Sequence, residues 1–125
     1  MAKLYKTTTN RSAENYNSGA ELLLDQLEIA ESLIARGTGL LGRQGLEANQ
    51  ALWIKPCNNI HTFFMKFAID CIFVDRNLEI KRIAKSVKPF RFVGPYWKAH
   101  SVIEASAGFA DKKNLQIGDQ LYVVS

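Results

Sequence analysis

From Ala51 onward the chain is written in short apolar runs of four to seven residues, each closed by a proline, a glycine or polar residues. That punctuation excludes helices of ordinary length there and asks for a β-rich fold. Ala51-Leu52-Trp53-Ile54-Lys55 reads as a strand stopped by Pro56. Thr62-Phe63-Phe64-Met65 is a second apolar run. Ile69 to Asp75 is rich in β-branched and aromatic residues, Arg76-Asn77 is a turn signal, and Leu78 to Ala84 follows with partial alternation. These last two runs predict a β-hairpin. Lys88 to Lys98, with Pro89, Gly94 and Pro95, reads as a long connection. Ser101 to Ala105 and Gln120 to Val124 complete the strands, with one helical turn over Asp111–Leu115.

The first half is less regular. Residues 1–19 form a polar extension with a short strand over Leu4–Thr9 and a loop over Arg11–Gly19. Ala20–Ala30 has helix-forming composition, yet Leu23, Asp25, Leu27 and Ile29 share one parity, so helix and strand both fit. Ser32 is a cap signal for a short helix over Leu33–Leu41, weakened by Gly37 and Gly39. Seven or eight short strands with one or two short helices predict a mostly β chain, a compact antiparallel sandwich or barrel. A doubly wound α/β sheet is disfavoured by the scarcity of strand–helix–strand alternation. At 125 residues, with no internal repeat or linker, one domain over 1–125 is expected.

Charge is uneven. Residues 51–100 carry nine Lys/Arg against three Asp/Glu, while the flanking segments are each near neutral. Within 76–98, seven cations face only Glu79, with Phe90, Phe92, Tyr96 and Trp97 interleaved near the end. Basic side chains with aromatics are the raw material of nucleic-acid binding. No RNP-like pattern, zinc finger or helix-turn-helix signature accompanies them, so a solvated strand face followed by a hydrophobic loop is the preferred reading. No signal peptide and no membrane-spanning run is read, giving the expectation of a cytoplasmic chain in which Cys57 and Cys71 are thiols.

The densest chemistry runs from Pro56 through Cys57, Asn58, Asn59, His61 and Thr62 to Asp70 and Cys71, inside apolar text. Buried polar groups must find partners, either in one another or around a pocket. Asp70 is flanked by apolar residues on both faces of its strand and needs a cation or several donors. Arg36 and Arg43, seven residues apart and on one face if the helix ran through Arg43, are candidate partners. Cys57 and His61 admit a thiolate–imidazole reading, against a small buried thiol and a hydrogen-bonded histidine. Cys57, His61 and Cys71 lack metal-ligand spacing, His100 is isolated, and no Walker, GxGxxG or GxSxG motif occurs. No metal and no cofactor are expected.

The ordered series Arg36-Gly37-Thr38-Gly39-Leu40-Leu41-Gly42-Arg43, Ala51 to Ile54, Cys57 through Asp70, Phe73-Val74-Asp75, Ser101 to Glu104 with Ala107-Gly108, and Gly118 to Leu121 resembles the domain-of-unknown-function 192 family over about residues 27–122. The resemblance implies a small β-rich, sandwich-like fold. It also implies a strand over Gln26–Ala30 and a short helix bearing Arg36 and Arg43. The family motif positions fall on Arg36, Gly39, Leu40, Arg43, His61, Thr62, Met65, Asp70 and Glu104. The family supplies no activity, substrate or cofactor. Its relatives are often exported, and its usual proline before the Ala-Gly turn is Ser106 here.

Three function classes follow. The first is a binding module in which Arg36, Arg43, Cys57, His61, Thr62 and Asp70 line a pocket beside Trp53 and Phe64, for a small polar or anionic ligand such as a sugar or carboxylate. The second is an enzyme using Cys57 as nucleophile or His61 as a base oriented by Asp70. The third is nucleic-acid binding through 76–98. Oligomeric state is left open.

Overall fold

The computed structural model describes residues 1–11 and 16–125. The described residues form a seven-stranded sheet, a separate two-stranded sheet and two short helices. The expected mostly β architecture is therefore present.

The large sheet has the order β6-β5-β8-β3-β2-β1-β9. Its members are β1 (Ala2–Arg11), β2 (Tyr16–Ala30), β3 (Gln50–Ile54), β5 (Ile69–Val74), β6 (Ile80–Val87), β8 (Ser101–Ser106) and β9 (Leu121–Val124). The small sheet pairs β4 (Ile60–His61) with β7 (Phe92–Val93). The predicted hairpin is β5–β6, with Asp75 Oδ1 accepting from the Asn77 and Glu79 amides across its turn. All pairs are antiparallel except β2–β3, which run parallel from Gln26↔Gln50 to Ala30↔Ile54. The chain crosses from β2 to β3 through α1 (Leu33–Thr38) and the polar connector after it.

The first strands are longer than the sequence suggests. Residues 16–19, expected in a loop, lie in β2, paired to Arg11, Asn10, Thr9 and Thr8; residues 12–15 of that expected loop lie outside the described residues. Backbone pairing sets these strand ends. The Ala20–Ala30 ambiguity resolves to strand.

Side chains alternate across the sheet, and both faces are covered. On one face Ala51, Trp53, Ile72, Val74, Ile103 and Ala105 join Leu4, Leu27, Leu121 and Phe109 in one core. On the other, Leu52, Ile54, Cys71, Phe73 and Val102 join Leu40, Met65 and Val93. The middle strands β3, β5 and β8 therefore read as nearly continuous apolar runs, as strands buried on both sides must.

The sheet curls until its ends meet. Glu79 bridges Gln120, the Ile80 amide donates to the Asp119 carbonyl at 2.9 Å, and the Leu121 amide to the Leu78 carbonyl at 3.0 Å. This barrel-like closure surrounds the first core, and α2 (Phe109–Lys112) buries Phe109 and Ala110 in it. The helical turn thus starts two residues before the expected position. The second core lies outside the curled sheet, under α1 and the β4–β7 pair.

Candidate functional site

A cavity of about 320 Å³ opens on this outer face. One wall is α1 and its exit, from Arg36 to Leu41. The opposite wall is β4, β7 and the Gly94-Pro95 segment. Ile54, Met65 and Glu104 also line it.

Local sequence sets these walls. Ser32 caps α1 by accepting from the Ala35 amide at 3.0 Å. Gly39, at φ +49°, ends the helix before Arg43. Arg36 and Arg43 therefore do not share a helical face, contrary to the expectation. Arg36 reaches the Pro56 carbonyl at 3.2 Å and lines the cavity, while its Nε is buried with no hydrogen-bond partner among the described residues. Arg43 pairs with Glu28 and lines no part of the cavity. Opposite, Gly94 sits at φ +95°, and a Cβ there would come within 2.7 Å of the Asn58 carbonyl. Only glycine lets the two crossing segments approach so closely.

Of the six residues singled out in the sequence, three meet at the cavity: Arg36, Cys57 and His61. Cys57 is half-buried, and its Sγ donates to the Asn59 carbonyl at 2.8 Å. Burial pushes the thiol up from its ordinary value, a trend the Asn59 contact and the Arg36 charge oppose and the Glu104 charge reinforces. His61 is exposed, and its ring packs on Phe63 and Phe92 with centroids 5.3 and 6.5 Å away.

The other two non-arginine candidates serve the frame. Thr62 is fully buried; its Oγ1 donates to the Lys88 carbonyl at 2.6 Å and accepts from the Arg91 amide at 2.9 Å. It pins the 62–65 turn to the 88–91 segment. Asp70 faces the inner core, on the opposite side of β5 from Cys71. Its Oδ1 accepts from the Ser86 and Gly108 amides, and its Oδ2 from the Ala110 amide at 2.8 Å. Backbone donors therefore satisfy Asp70, and the expected pairing with Arg36 or Arg43 does not form. Its carboxylate caps α2 from a distant strand, where Gly108 offers no side chain to do so. Trp53 also belongs to the inner core, with Nε1 donating to Ser101 Oγ, and Phe64 is exposed outside the cavity lining.

The residue the candidate set omits is Glu104. It stands mid-strand in β8, paired with Leu52 on one side and Cys71 on the other, and is 4% exposed. No hydrogen bond reaches its carboxyl among the described residues. Burial pushes its pKa up to about 7, against the milder pull of the Arg43 charge. The signal was present in the sequence: Ser101-Val102-Ile103-Glu104-Ala105 sets a carboxylate in an apolar strand, the same criterion that singled out Asp70. The cavity thus joins a cation, a thiol, an imidazole and a buried carboxyl on an apolar floor. No group of three or more His, Cys, Asp or Glu side chains arranged to hold a metal occurs among the described residues.

Comparisons with known proteins agree with one another. The profile of a family described as DUF192, an uncharacterised group, matches residues 14–123. A UPF0127 protein of Thermococcus sibiricus is 34% identical over 102 residues, covering 77% of this chain and 64% of that one, so the match spans less than two thirds of that relative. A UPF0127 protein of Pyrococcus horikoshii is 31% identical over 101 residues, covering 77% of this chain and 85% of its own. Among solved structures, a putative transcription regulator from Sinorhizobium meliloti superposes with a TM-score of 0.76 at 16% identity, over 98% of this chain and 94% of that one. A protein of unknown function from Novosphingobium aromaticivorans gives 0.74 at 17%, over 95% and 83%. At such identities the structures speak for the fold alone.

Proposed function

This chain belongs to the DUF192 family of uncharacterised proteins, and we propose that it is a binding domain whose outer cavity holds a small polar ligand carrying an anionic group. One observation carries the reading: Arg36, His61, Cys57 and Glu104 converge on a single concavity floored by Leu40, Ile54, Met65 and Val93. A few polar groups on an apolar surface, in a volume of this size, are what small-molecule sites are made of. Arg36 receives the anion, because its guanidinium spends one hydrogen bond on the Pro56 carbonyl and keeps donors in reserve. A carboxylate suits this planar fork.

An activated cysteine fits less well. Burial raises the Cys57 thiol, its Sγ points a hydrogen bond at the Asn59 carbonyl, and the His61 ring rests on phenylalanines instead of a carboxylate. A nucleophilic cysteine needs the opposite environment. For nucleic acid, Lys81 pairs with Asp75 and Glu79, Lys85 with Asp111, and Arg82 lies over Tyr96. The basic segment is therefore partly neutralised from within. The helices, of six and four residues, are short for entering a groove.

Thermal denaturation against a panel of small carboxylates, sugars and phosphates tests the proposal. A carboxylate is expected to raise the midpoint, and Arg36→Gln to abolish the rise while leaving the unliganded midpoint within a few degrees. A panel in which no compound moves the midpoint, or in which the shift survives Arg36→Gln, overturns it.

A further inference from the structure

The cavity contains two unmet polar requirements of opposite kind. Glu104 is a carboxyl in the middle of a seven-stranded sheet, nine-tenths buried, lining the cavity, with no hydrogen-bond partner among the described residues. Its in-sheet neighbours, Leu52 and Cys71, offer nothing to an anion. Arg36 lines the same cavity with its Nε unpartnered. Cys57 lines the same cavity as both.

An ionised carboxylate in such a place requires a cation or several donors. The fold provides neither. Arg43 acts on Glu104 only through space, and its own charge is taken by Glu28. Cys57 and Cys71 bring raised, neutral thiols. His61 lines the cavity mouth and packs on aromatics. Below about pH 7 a proton neutralises the group; above it, the counter-charge for the carboxylate is left to a ligand in the cavity.

We infer that the ligand is a zwitterion of the amino-acid class, its carboxylate on Arg36, its ammonium group on Glu104, and its apolar side chain on Leu40, Ile54 and Met65. A neutral sugar would leave Glu104 without a counter-charge, and a simple carboxylate would engage Arg36 alone and bind more weakly for having a second carboxyl group beside it. A zwitterion answers both requirements without net charge burial. The inference rests on the proposed function, since it assigns the anion to Arg36 as that reading does.

Calorimetric titration separates the two. The panel is the aliphatic amino acids from alanine to methionine, each beside its N-acetyl derivative and its decarboxylated amine, at pH 6 and pH 8. An amino acid is expected to bind at least tenfold more tightly than either derivative. It should also bind up to about tenfold more tightly at pH 8, where Glu104 is ionised, than at pH 6. Glu104→Gln, close in shape, should remove that pH dependence and weaken the amino acid tenfold or more, while the N-acetyl derivative, relieved of a like charge, binds at least as tightly as to wild type. If an N-acetyl derivative binds as well as its parent, the zwitterion is overturned and the anion site on Arg36 stands. If nothing in the panel binds, the zwitterion is overturned and the anion site is judged by the broader thermal panel; if an amine binds as well as its parent amino acid, both fall.

Discussion

Asp70 and Glu104 pose the same problem at the residue scale and solve it oppositely. Each is a carboxylate in a β-strand buried on both faces. Asp70 accepts three backbone amides and ties β5 to Ser86, where the β5–β6 register is irregular, and to the start of α2. Removing it strands those donors, so Asp70→Ala should cost about 3 kcal/mol or more in urea unfolding. Asp70→Asn should cost less, because one amide oxygen still accepts. Glu104 has no such donors. Its folded pKa, about 7 against an ordinary 4.5, means that the native state binds the extra proton between those values. The sign follows: stability falls as pH rises from about 4.5 to 7, and is lower by on the order of 3 kcal/mol above that window than below it. Glu104→Gln should flatten this dependence and raise stability at pH 8. Urea midpoints of both proteins at pH 5 and pH 8 check it; a wild-type contribution that grows with pH would contradict the burial argument. The sequence exposed both residues by one criterion, a charge in apolar strand text, but their difference is made by amides brought from distant segments.

At the element scale, legibility followed locality. The β5–β6 hairpin was readable because its two apolar runs and its turn are adjacent in sequence. β2 was ambiguous for a physical reason. Irregular register opposite Leu4 buries both Leu23 and Leu24, and with Leu27 and Ala30 the buried positions fall three or four apart, as on a helix. The parallel β2–β3 pairing left no local mark, because its register is set by the crossover through α1. The α1 stop at Gly39 is half visible: Gly37 and Gly39 weaken the helix in the sequence, yet nothing local ends it before Leu41, and the shared face of the arginines holds only if it runs on through Arg43. Among the loops, Thr62 joins the 62–65 and 88–91 segments, where Phe64 and Phe90 hold positive φ. Thr62→Val keeps the shape and loses both hydroxyl bonds, leaving the Lys88 carbonyl and the Arg91 amide short of a partner. A loss of about 1–3 kcal/mol is expected, with Thr62→Ser recovering most of it. Gly94→Ala should be comparably damaging, because a methyl would meet the Asn58 carbonyl and force the cavity wall apart. Thermal midpoints rank these variants against wild type.

The molecule as a whole divides its labour between the two sides of one sheet. The curled inner face supplies cohesion, and the outer face, where α1 and the β4–β7 pair leave a gap, supplies the cavity. That division predicts different fates for mutations. Leu121→Ala, emptying a fully buried position of the inner core, should cost about 2–5 kcal/mol, whereas Arg36→Gln at the cavity should change stability little and remove anion binding. The inner face depends on closure, since β6 and β9 would otherwise be open edges inviting intermolecular pairing. Three backbone hydrogen bonds join the ends: the Ile80 amide to the Asp119 carbonyl, the Gly118 amide to the Ile80 carbonyl and the Leu121 amide to the Leu78 carbonyl. If these join the ends into one cooperative unit, their amides open only with global unfolding. Native-state hydrogen exchange should then give the Ile80, Gly118 and Leu121 amides the same opening free energy as Ile72 in the middle of the sheet. Faster exchange confined to these three would mean that the curled sheet parts at its seam while its centre holds, and closure would then add nothing to the cohesion of the inner core.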